Sequence, residues 1–310
     1  MAASCSPLPY IGNKSCIADI LLAIMPPHDL YIEPCMGSAE MLFRKPRSKR
    51  EIINDYTGDL VNFFRTLQDD RWLLPLIGRI FFSINSELLF QQNKELLRNT
   101  PNVLDDMAAT VEKTSELNWD DFKRAVAFFE NQVLSFSSTG QTFGIDNRDI
   151  FDRVHRLIAA QNRIRDVCIL HRDYKDAIRY ALKSATRERT FILLDPPYKG
   201  TESFYNKGSY GKSEHLEIFE FLMEEVQKPF GDTVKFAITY NDCFQFRKEA
   251  YMRGLNILTR NRLHNMQQRS IAGSQFQELI IANYDMLAQA EDNQHAYLLH
   301  SGQMNLFDTY

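Results

Sequence analysis

The sequence TFILLDPPY at residues 190–198 decides the fold of this 310-residue chain. Its first five residues, Thr190–Leu194, form a short apolar run that is typical of a buried strand. Asp195 is followed by two prolines, which can neither continue a hydrogen-bonded ladder nor enter a helix interior, so the strand must end there. In an open α/β sheet, ligands bind beyond the carboxyl ends of the strands. The stretch therefore predicts a strand with a stiff, ligand-binding turn after it.

The groups of this turn suit one kind of ligand. Asp195 offers a carboxylate, Pro196 offers a carbonyl that meets no N–H on Pro197, and Tyr198 offers an aromatic ring. Together they can hold a flat base that carries an exocyclic amine. A proline-rich turn without a ligand is the alternative, and the rest of the chain has to decide between the two.

A loop at residues 9–14 leads into a helix whose apolar residues between 17 and 24 fall on one face. Lys14 lies at the amino end of that helix, where the helix dipole disfavours a cation. A ligand-binding lysine and a solvated lysine are both open at this position.

A short strand at residues 30–32 precedes Glu33-Pro-Cys-Met-Gly-Ser-Ala-Glu40 and a further helix. Gly37 allows the backbone to approach a ligand closely, and the residues after it are small. This layout is typical of a nucleotide-cofactor site. The glycine fingerprint of NAD- and FAD-binding proteins and the P-loop are both absent, which argues against those ligands.

A second strand, Glu51–Asp55, ends in an acid about 20 residues after the glycine turn. In doubly wound folds, an acid at this place hydrogen-bonds a pair of ribose hydroxyls. Asp55 is therefore a candidate ribose ligand, with the N-cap of the predicted helix Gly58–Leu67 as the alternative.

Between about residues 70 and 165 the pattern becomes helical, which predicts an insertion between two halves of an α/β sheet. The predicted helices are Trp72–Ile84, Glu87–Arg98, Trp119–Leu134 and Arg148–Ile164. A flexible polar loop with aromatic ends is predicted at Phe136–Gly144. Basic residues, which form either a solvated surface or a face for phosphates and base edges, occur at Arg44–Arg50 and at Arg148, Arg153, Arg156, Arg163 and Arg165.

Strand patterns return after residue 165. The predicted strands are Val167–Leu170, Thr190–Leu194, Val234–Thr239, and an antiparallel pair formed by Leu255–Arg260 and Gln275–Asn283. Asp173 is a further acid at a strand end. The polar loop Lys199–Ser213 is long for a compact domain, and such loops are usually functional or mobile. The alternation of strands and helices predicts an α/β fold.

Composition excludes several classes of protein. The chain is 44% hydrophobic and 25% charged with a net charge of −4, so a nucleic-acid partner would need local basic patches. Its five scattered cysteines form no metal-binding or disulfide pattern, which predicts neither a metal site nor disulfides and favours a cytoplasmic setting. No signal peptide or membrane-spanning stretch is indicated.

Four motifs in order resemble those of the DNA adenine methylase family, the alpha-ordered group of adenine-N6 DNA methyltransferases. They are Tyr10–Lys14, Glu33–Gly37, Asn54-Asp55 and Asp195–Tyr198, with the helical insertion before the last. The likeness runs from residue 9 to about residue 284 and is loose in the insertion, where Phe136–Gly144 carries it. Cys35 departs from the family, which often has an aromatic residue there, so stacking from that position is in doubt.

The resemblance implies a Rossmann-like, S-adenosylmethionine-dependent methyltransferase sheet with helices on both faces. Residues 1–68 and 165–285 would form the catalytic domain, 69–164 a mostly helical target-recognition domain, and 286–310 a tail. Double-stranded DNA is the implied partner. The implied cofactor contacts are Tyr10, Lys14, Glu33, Gly37, Asp55, Asp173 and Asp195.

The implied catalytic residues are Asp195, Pro196 and Tyr198. The target adenine must leave the duplex. Its amine is a poor nucleophile because the lone pair is delocalised into the ring. Hydrogen bonds from the amine to the Asp195 carboxylate and the Pro196 carbonyl would favour an amine-like geometry, while Tyr198 stacks on the base. Alternatives are methyl transfer to another nucleobase, an inactive methyltransferase-like DNA-binding protein and, least favoured, a nicotinamide oxidoreductase.

The carboxyl-terminal residues carry a separate pattern. Gln303–Phe307 places a glutamine before a Leu-Phe pair in an otherwise hydrophilic tail. It resembles the short peptides with which bacterial replication proteins bind the sliding clamp, where glutamine hydrogen-bonds and the apolar pair fills a pocket. A tail without function is the alternative.

Overall fold

The computed structural model describes residues 5–100, 116–144, 151–185, 188–199, 214–263 and 275–294. Several sequence predictions fall outside these residues: Arg148, most of the Lys199–Ser213 loop and the Gln303–Phe307 peptide.

The described strands form one seven-stranded sheet with the order β3-β2-β1-β4-β5-β7-β6. The strands are β1 (Leu30–Glu33), β2 (Arg50–Asn54), β3 (Cys168–Leu170), β4 (Thr190–Leu194), β5 (Val234–Asn241), β6 (Asn256–Leu263) and β7 (Gln275–Ala282). β4 pairs in parallel with β1 and β5, and β2 pairs in parallel with β3. β7 is antiparallel to both β5 and β6, which confirms the predicted closing pair.

Helices connect these strands and form most of the described part of the predicted insertion. They are α1 (Ala18–Ala23), α2 (Glu40–Arg44), α3 (Gly58–Gln68), α4 (Asp70–Phe81), α5 (Glu87–Asn99), α6 (Trp119–Leu134), α7 (Phe151–Ile164), α8 (Tyr174–Lys183), α9 (Glu214–Phe221), α10 (Lys228–Phe230), α11 (Phe244–Met252) and α12 (Met286–Asp292). A π-helical turn, Leu222–Gln227, joins α9 to α10. None of the described helices is long and apolar enough to cross a membrane.

The chain forms two compact units. The first contains the described parts of Met1–Cys16, Met36–Lys45 and Ile52–Ala177, and the second those of Ile17–Cys35, Pro46–Glu51 and Ile178–Tyr310. In the first unit, α3 packs against α6, with phenylalanines 63 and 129 stacked 5.5 Å apart between ring centroids. In the second unit, β4 is buried along its whole length, as expected for a central parallel strand covered on both faces.

Most element predictions are confirmed, and the differences have local causes. α6 and β4 have the predicted bounds. β2 ends at Asn54, so Asp55 lies in the turn after the strand. β5 runs two residues beyond the predicted Thr239 because Tyr240 and Asn241 pair with β7.

The predicted open loop at Phe136–Gly144 is a hydrogen-bonded hairpin. The Phe136 amide donates to the Thr142 carbonyl over 2.7 Å, and Gly144 donates to Leu134 over 2.7 Å. The Asn131 side chain on α6 donates to the Gly140 carbonyl over 3.2 Å. These bonds hold the hairpin against the carboxyl end of α6.

Candidate functional site

In the first unit, the turn after β2 and the glycine turn meet at Asp55. Its Oδ2 accepts a hydrogen bond from the Gly37 amide over 3.0 Å, and its Oδ1 accepts one from the Thr57 amide over 2.9 Å. The Met36 amide donates to the Asn54 carbonyl over 2.9 Å, which joins the same two turns through the backbone. Gly37 adopts a φ of 48°, a left-handed conformation that favours glycine. The structure thus brings together two of the residues that the sequence singled out.

Burial sets the electrostatics of Asp55. It raises the pKa of the Asp55 carboxyl above its usual range, because the charged form loses contact with water, and the amides of Thr57 and Gly37 partly offset this. The Thr57 side chain also donates to Asp55, so three of the about four acceptor positions of the carboxylate are occupied. Asp55 can therefore accept a further hydrogen bond from a hydroxyl group.

Tyr10 lies over the same turn. A Cβ atom on Gly37 would lie in van der Waals contact with the Tyr10 ring, 3.6 Å from its Cδ1, so the ring lies directly beside this glycine. Burial raises the pKa of the Tyr10 hydroxyl, and the negative charge of Asp55 adds to the effect. The ring, Gly37 and Asp55 therefore form one cluster, with an aromatic surface beside a carboxylate.

Lys14 is buried, with 7% of its surface exposed, on a 3-10 turn that spans Lys14–Cys16. Its Nζ donates to the Gly12 carbonyl over 3.0 Å, closing its own loop. The solvated lysine that the sequence left open is therefore not what the structure contains.

The loop that carries Lys14 is fastened to the glycine turn by its neighbour Asn13. Asn13 Nδ2 donates to Ser38 Oγ over 3.0 Å and to Glu40 Oε2 over 3.1 Å. Glu40 is 2% exposed and also accepts from the amides of Cys5 and Ser6 and from Arg44 Nε. Glu40 therefore holds three segments of the first unit around one carboxylate.

Asp173, predicted from the resemblance as a cofactor contact, lies at the start of α8. Its Oδ1 accepts from the Lys175 amide over 2.9 Å, which places it as a cap at the start of α8. Asn54 joins the segment before α8 to the turn that contains Asp55. Its side chain donates to the Arg172 carbonyl and accepts from the Arg172 amide, each over 2.9 Å. His171 adds a bond of 2.9 Å from Nε2 to the Tyr56 carbonyl.

In the second unit, Asp195 follows directly after β4 and is held by β5. The Thr239 hydroxyl donates to Asp195 Oδ1 over 2.6 Å. Thr239 is fully buried, whereas Asp195 is half-buried. One carboxylate oxygen is thus fixed by the sheet. The next residue, Pro196, is buried, so the start of the turn is held at both residues.

Tyr198 is anchored by β7. Its hydroxyl donates to Glu278 Oε1, and Glu278 is fully buried. Burial raises the pKa of the Tyr198 hydroxyl well above its usual range, and the charges of Glu278 and Asp195 raise it further. The phenol therefore stays protonated and remains a hydrogen-bond donor. Its ring lies 6.1 Å from the Tyr240 ring, centroid to centroid.

Glu33 ends β1, also in the second unit. It is buried and accepts a hydrogen bond from the Tyr31 hydroxyl over 3.2 Å. Among the described residues, no group of three or more acidic, histidine or cysteine side chains is arranged to hold a metal ion.

Sequence reasoning missed four residues of these clusters: Asn13, Glu40, Thr239 and Glu278. Glu278 had a usable signal, because an acid in the middle of the apolar strand Gln275–Ala282 must find a partner when that strand is buried. Thr239 had none, since threonine is an ordinary strand residue.

The sequence is similar to those of known DNA methyltransferases. Residues 10–266 match the family model described as D12 class N6 adenine-specific DNA methyltransferase. The chain is 25% identical over 212 residues to the DNA N-6-adenine-methyltransferase of Escherichia phage P1. That match covers 64% of this chain and 25% of the phage protein, so the chain spans about a quarter of the length of this relative.

Proposed function

The chain belongs to the family of D12 class N6 adenine-specific DNA methyltransferases, and from this premise we propose that it transfers a methyl group from S-adenosylmethionine to N6 of an adenine in double-stranded DNA. The observation that carries the proposal is the hydrogen bond from Thr239 to Asp195 at the start of the Asp-Pro-Pro-Tyr turn. It holds a carboxylate in one orientation just past a central parallel strand, where ligands of such sheets bind.

Asp195 and Pro196 act on the amine in this proposal. The nitrogen of adenine N6 shares its lone pair with the ring, so it must become more pyramidal before it can attack a methyl group. Hydrogen bonds from its two N–H groups to the Asp195 carboxylate and the Pro196 carbonyl favour that geometry. The N–H becomes acidic only as the new N–C bond forms, and Asp195 is placed to stabilise the positive charge that develops.

Tyr198 holds the base. An adenine inside a duplex is shielded by its neighbours, so it must be turned out of the stack before the amine can reach Asp195. An aromatic ring replaces part of the stacking that the base loses, which contributes about 1–3 kcal/mol per base in proteins that bind single strands. The Tyr198 ring is half-buried and anchored through its hydroxyl, which suits this role.

The residues of the first unit fit the cofactor. S-adenosylmethionine supplies an activated methyl group on a sulfonium, together with a ribose and an adenine. Asp55 has an acceptor position for a ribose hydroxyl, Tyr10 offers an aromatic surface beside it, and Gly37 brings the backbone of the turn close to that ring. Lys14 bonds to the Gly12 carbonyl and closes the loop that follows Tyr10. We assign cofactor binding to these four residues. Glu33, Asp173 and Asp195 are assigned to the cofactor on the resemblance.

The helical segment 69–164 is proposed to recognise the DNA target. Its described part carries Arg156 and Arg163, and Arg165, directly after the segment, donates to Asp70 over 3.2 Å. Residues 1–68 and 165–285 are proposed as the catalytic domain. The family model favours adenine over the other nucleobases and over a nicotinamide reaction.

Expression in bacterial cells whose DNA lacks methylated adenine tests the proposal. Sequencing that detects N6-methyladenine should find it at one recurring sequence in cells with the wild-type chain. Asp195→Ala should produce none, while the purified variant still binds cofactor or DNA. Unmethylated DNA with the wild-type chain would favour the alternative of an inactive DNA-binding protein, and activity of Asp195→Ala would contradict the mechanism.

We also propose that Gln303–Phe307 binds a bacterial sliding clamp, on the sequence pattern alone. A pull-down with purified clamp should capture the full chain, and substitution of Leu306 and Phe307 by alanine should abolish capture. Equal capture of both proteins, or capture of neither, would contradict the proposal.

A further inference from the structure

Glu278 is a buried acidic residue within a mostly apolar strand. It is fully buried in β7, next to Leu279, Ile280 and Ile281, which are also fully buried. Burying a carboxylate without partners costs several kcal/mol, so its neighbours must compensate.

One compensating group is the Tyr198 hydroxyl, which donates to Glu278 Oε1. The sheet register places two further polar residues directly opposite Glu278, Asn241 on β5 and Arg260 on β6. Residues directly opposite one another in antiparallel strands lie on the same face of the sheet. Glu278 is therefore flanked by a polar amide and a cation, and it reaches the Asp-Pro-Pro-Tyr turn from the strand beyond β5.

We infer that Glu278 is a positioning residue that fixes the Tyr198 ring in the orientation in which it stacks on the target base. The inference rests on the proposed function. The ring is held at one end by a backbone that two prolines stiffen, and at the other by its hydroxyl on β7. A ring fixed at both ends loses little conformational freedom when a base arrives, so more of the stacking energy goes into holding the amine in place.

Burial raises the pKa of the Tyr198 hydroxyl well above its usual range, so the hydroxyl stays protonated at neutral pH and donates to Glu278. Thr239 holds Asp195 and Glu278 holds Tyr198, so two neighbouring strands, β5 and β7, each fix one of the two groups that contact the base.

A double-mutant cycle on the full chain tests the inference, with methylation of a duplex that contains the sequence identified in cells. Tyr198→Phe and Glu278→Leu should each lower kcat by about 10- to 100-fold, as expected for a lost hydrogen bond to a charged group at a reacting site. The double variant should lose no more than either single variant. Glu278→Gln keeps an acceptor and should recover most of kcat, and the cofactor KM should stay within about twofold of wild type in all four proteins.

Asn283→Asp is the matched control. Asn283 is a polar residue directly after β7. Its side chain bonds to the backbone of Val234 and Phe236, away from the Asp-Pro-Pro-Tyr turn. This swap should lower the thermal unfolding temperature and leave kcat unchanged. Glu278→Leu with wild-type kcat, losses that multiply in the double variant, or Glu278→Gln no better than Glu278→Leu would each overturn the inference.

Unfolding temperatures of the same four proteins report on the pair without any activity. Tyr198→Phe removes a bond from a buried carboxylate and should lower the unfolding temperature, while the double variant, apolar at both positions, should recover part of the loss. If Glu278→Leu does not fold, Glu278→Gln and the double variant carry the same comparison. A wild-type chain that methylates no DNA would refute the proposed function and this positioning role with it, whereas coupled unfolding temperatures would still establish the Tyr198–Glu278 contact.

Discussion

The Thr239 hydroxyl donates to Asp195 Oδ1 over 2.6 Å, so the carboxylate that we assign to the adenine amine is held by the neighbouring strand. Thr239 is fully buried in β5, and its hydroxyl cannot turn to water instead. This bond orients the carboxylate before substrate arrives, which is what a group that positions an amine requires.

Thr239→Val should therefore impair the reaction more than the fold. Valine keeps the shape of threonine and removes only the hydroxyl, so the Asp195 carboxylate loses its fixed orientation. We expect kcat to fall by about 10- to 100-fold, in line with about 1.5–3 kcal/mol for a hydrogen bond to a charged group, with cofactor affinity within about twofold of wild type. Steady-state methylation kinetics and calorimetric titration of the cofactor check the two expectations.

Thr259→Val is the control for that substitution. Thr259 is buried in β6 and accepts a hydrogen bond from Arg247 over 3.0 Å, away from the Asp-Pro-Pro-Tyr turn. It removes a buried hydroxyl of the same kind and should leave kcat unchanged. Equal losses in both variants would mean that Thr239 matters for packing alone.

Lys14→Ala should act on the cofactor. The buried ammonium closes the loop of residues 12–14 through the Gly12 carbonyl. The hydrogen bond from Asn13 to Ser38 joins this loop to the glycine turn, which belongs to the Tyr10, Gly37 and Asp55 cluster. We expect the cofactor KM to rise about tenfold, with a smaller change in kcat at saturating cofactor. Lys49→Ala, at a lysine whose side chain is 79% exposed and paired with Asp29, is the control and should change neither constant. A fall in kcat alone would contradict the assignment of Lys14.

The pH dependence of cofactor binding should report Asp55. Burial raises its pKa above the ordinary 3.8, so the carboxyl takes up a proton at a higher pH than an exposed aspartate does. Ribose hydroxyls donate to the anion, and affinity should therefore fall as the pH decreases through the raised pKa. Titration calorimetry with S-adenosylhomocysteine from neutral to acidic pH measures this decrease, and Asp55→Asn should bind more weakly and lose the pH dependence.

The raised pKa of Asp55 also determines how the stability of the cofactor-free protein changes with pH. The folded chain holds the Asp55 proton more tightly than the unfolded chain does, so the contribution of this group to the free energy of unfolding is lost as the pH rises through the raised pKa. Asp55→Asn should remove that decrease. If Asp55→Asn showed the same pH profile for cofactor binding as wild type, another group would be responsible for it.

The strands could be predicted from the sequence because the residues that form each strand and those that end it are adjacent in the chain. Thr190–Leu194 is an uninterrupted apolar run, and the prolines after Asp195 end it without help from the rest of the chain. Gly37 and Asp55 could also be singled out, since Gly37 lies in the turn after β1, Asp55 directly follows β2, and the distance between them along the chain is typical of a cofactor site.

The supporting residues could not be predicted because their partners are distant in sequence. Glu278 meets Tyr198 only through an antiparallel strand 80 positions later, and Thr239 meets Asp195 44 positions later. No local pattern announces such a contact. Asp173 is a case in which the local pattern is ambiguous: an acid after a strand fits a ligand site and a helix cap, and in the structure it accepts a hydrogen bond from the Lys175 amide.

Glu40 gives the last prediction, because its carboxylate accepts hydrogen bonds from three separate segments of the first unit. The donors are the amides of Cys5 and Ser6, the Asn13 side chain and Arg44. Glu40→Gln turns one acceptor into a donor that faces other donors, so we expect about 1–3 kcal/mol less stability to denaturant. Release of the Asn13 loop should also raise the cofactor KM.

Saturating cofactor should restore part of the stability that Glu40→Gln loses, since ligand binding favours the folded state by mass action. Glu51→Gln is the matched control: Glu51 is also buried and accepts from a backbone amide, that of Ser48. It should lose stability without a change in the cofactor KM. An unchanged cofactor KM in Glu40→Gln would show that this carboxylate stabilises the first unit without shaping the cofactor loop.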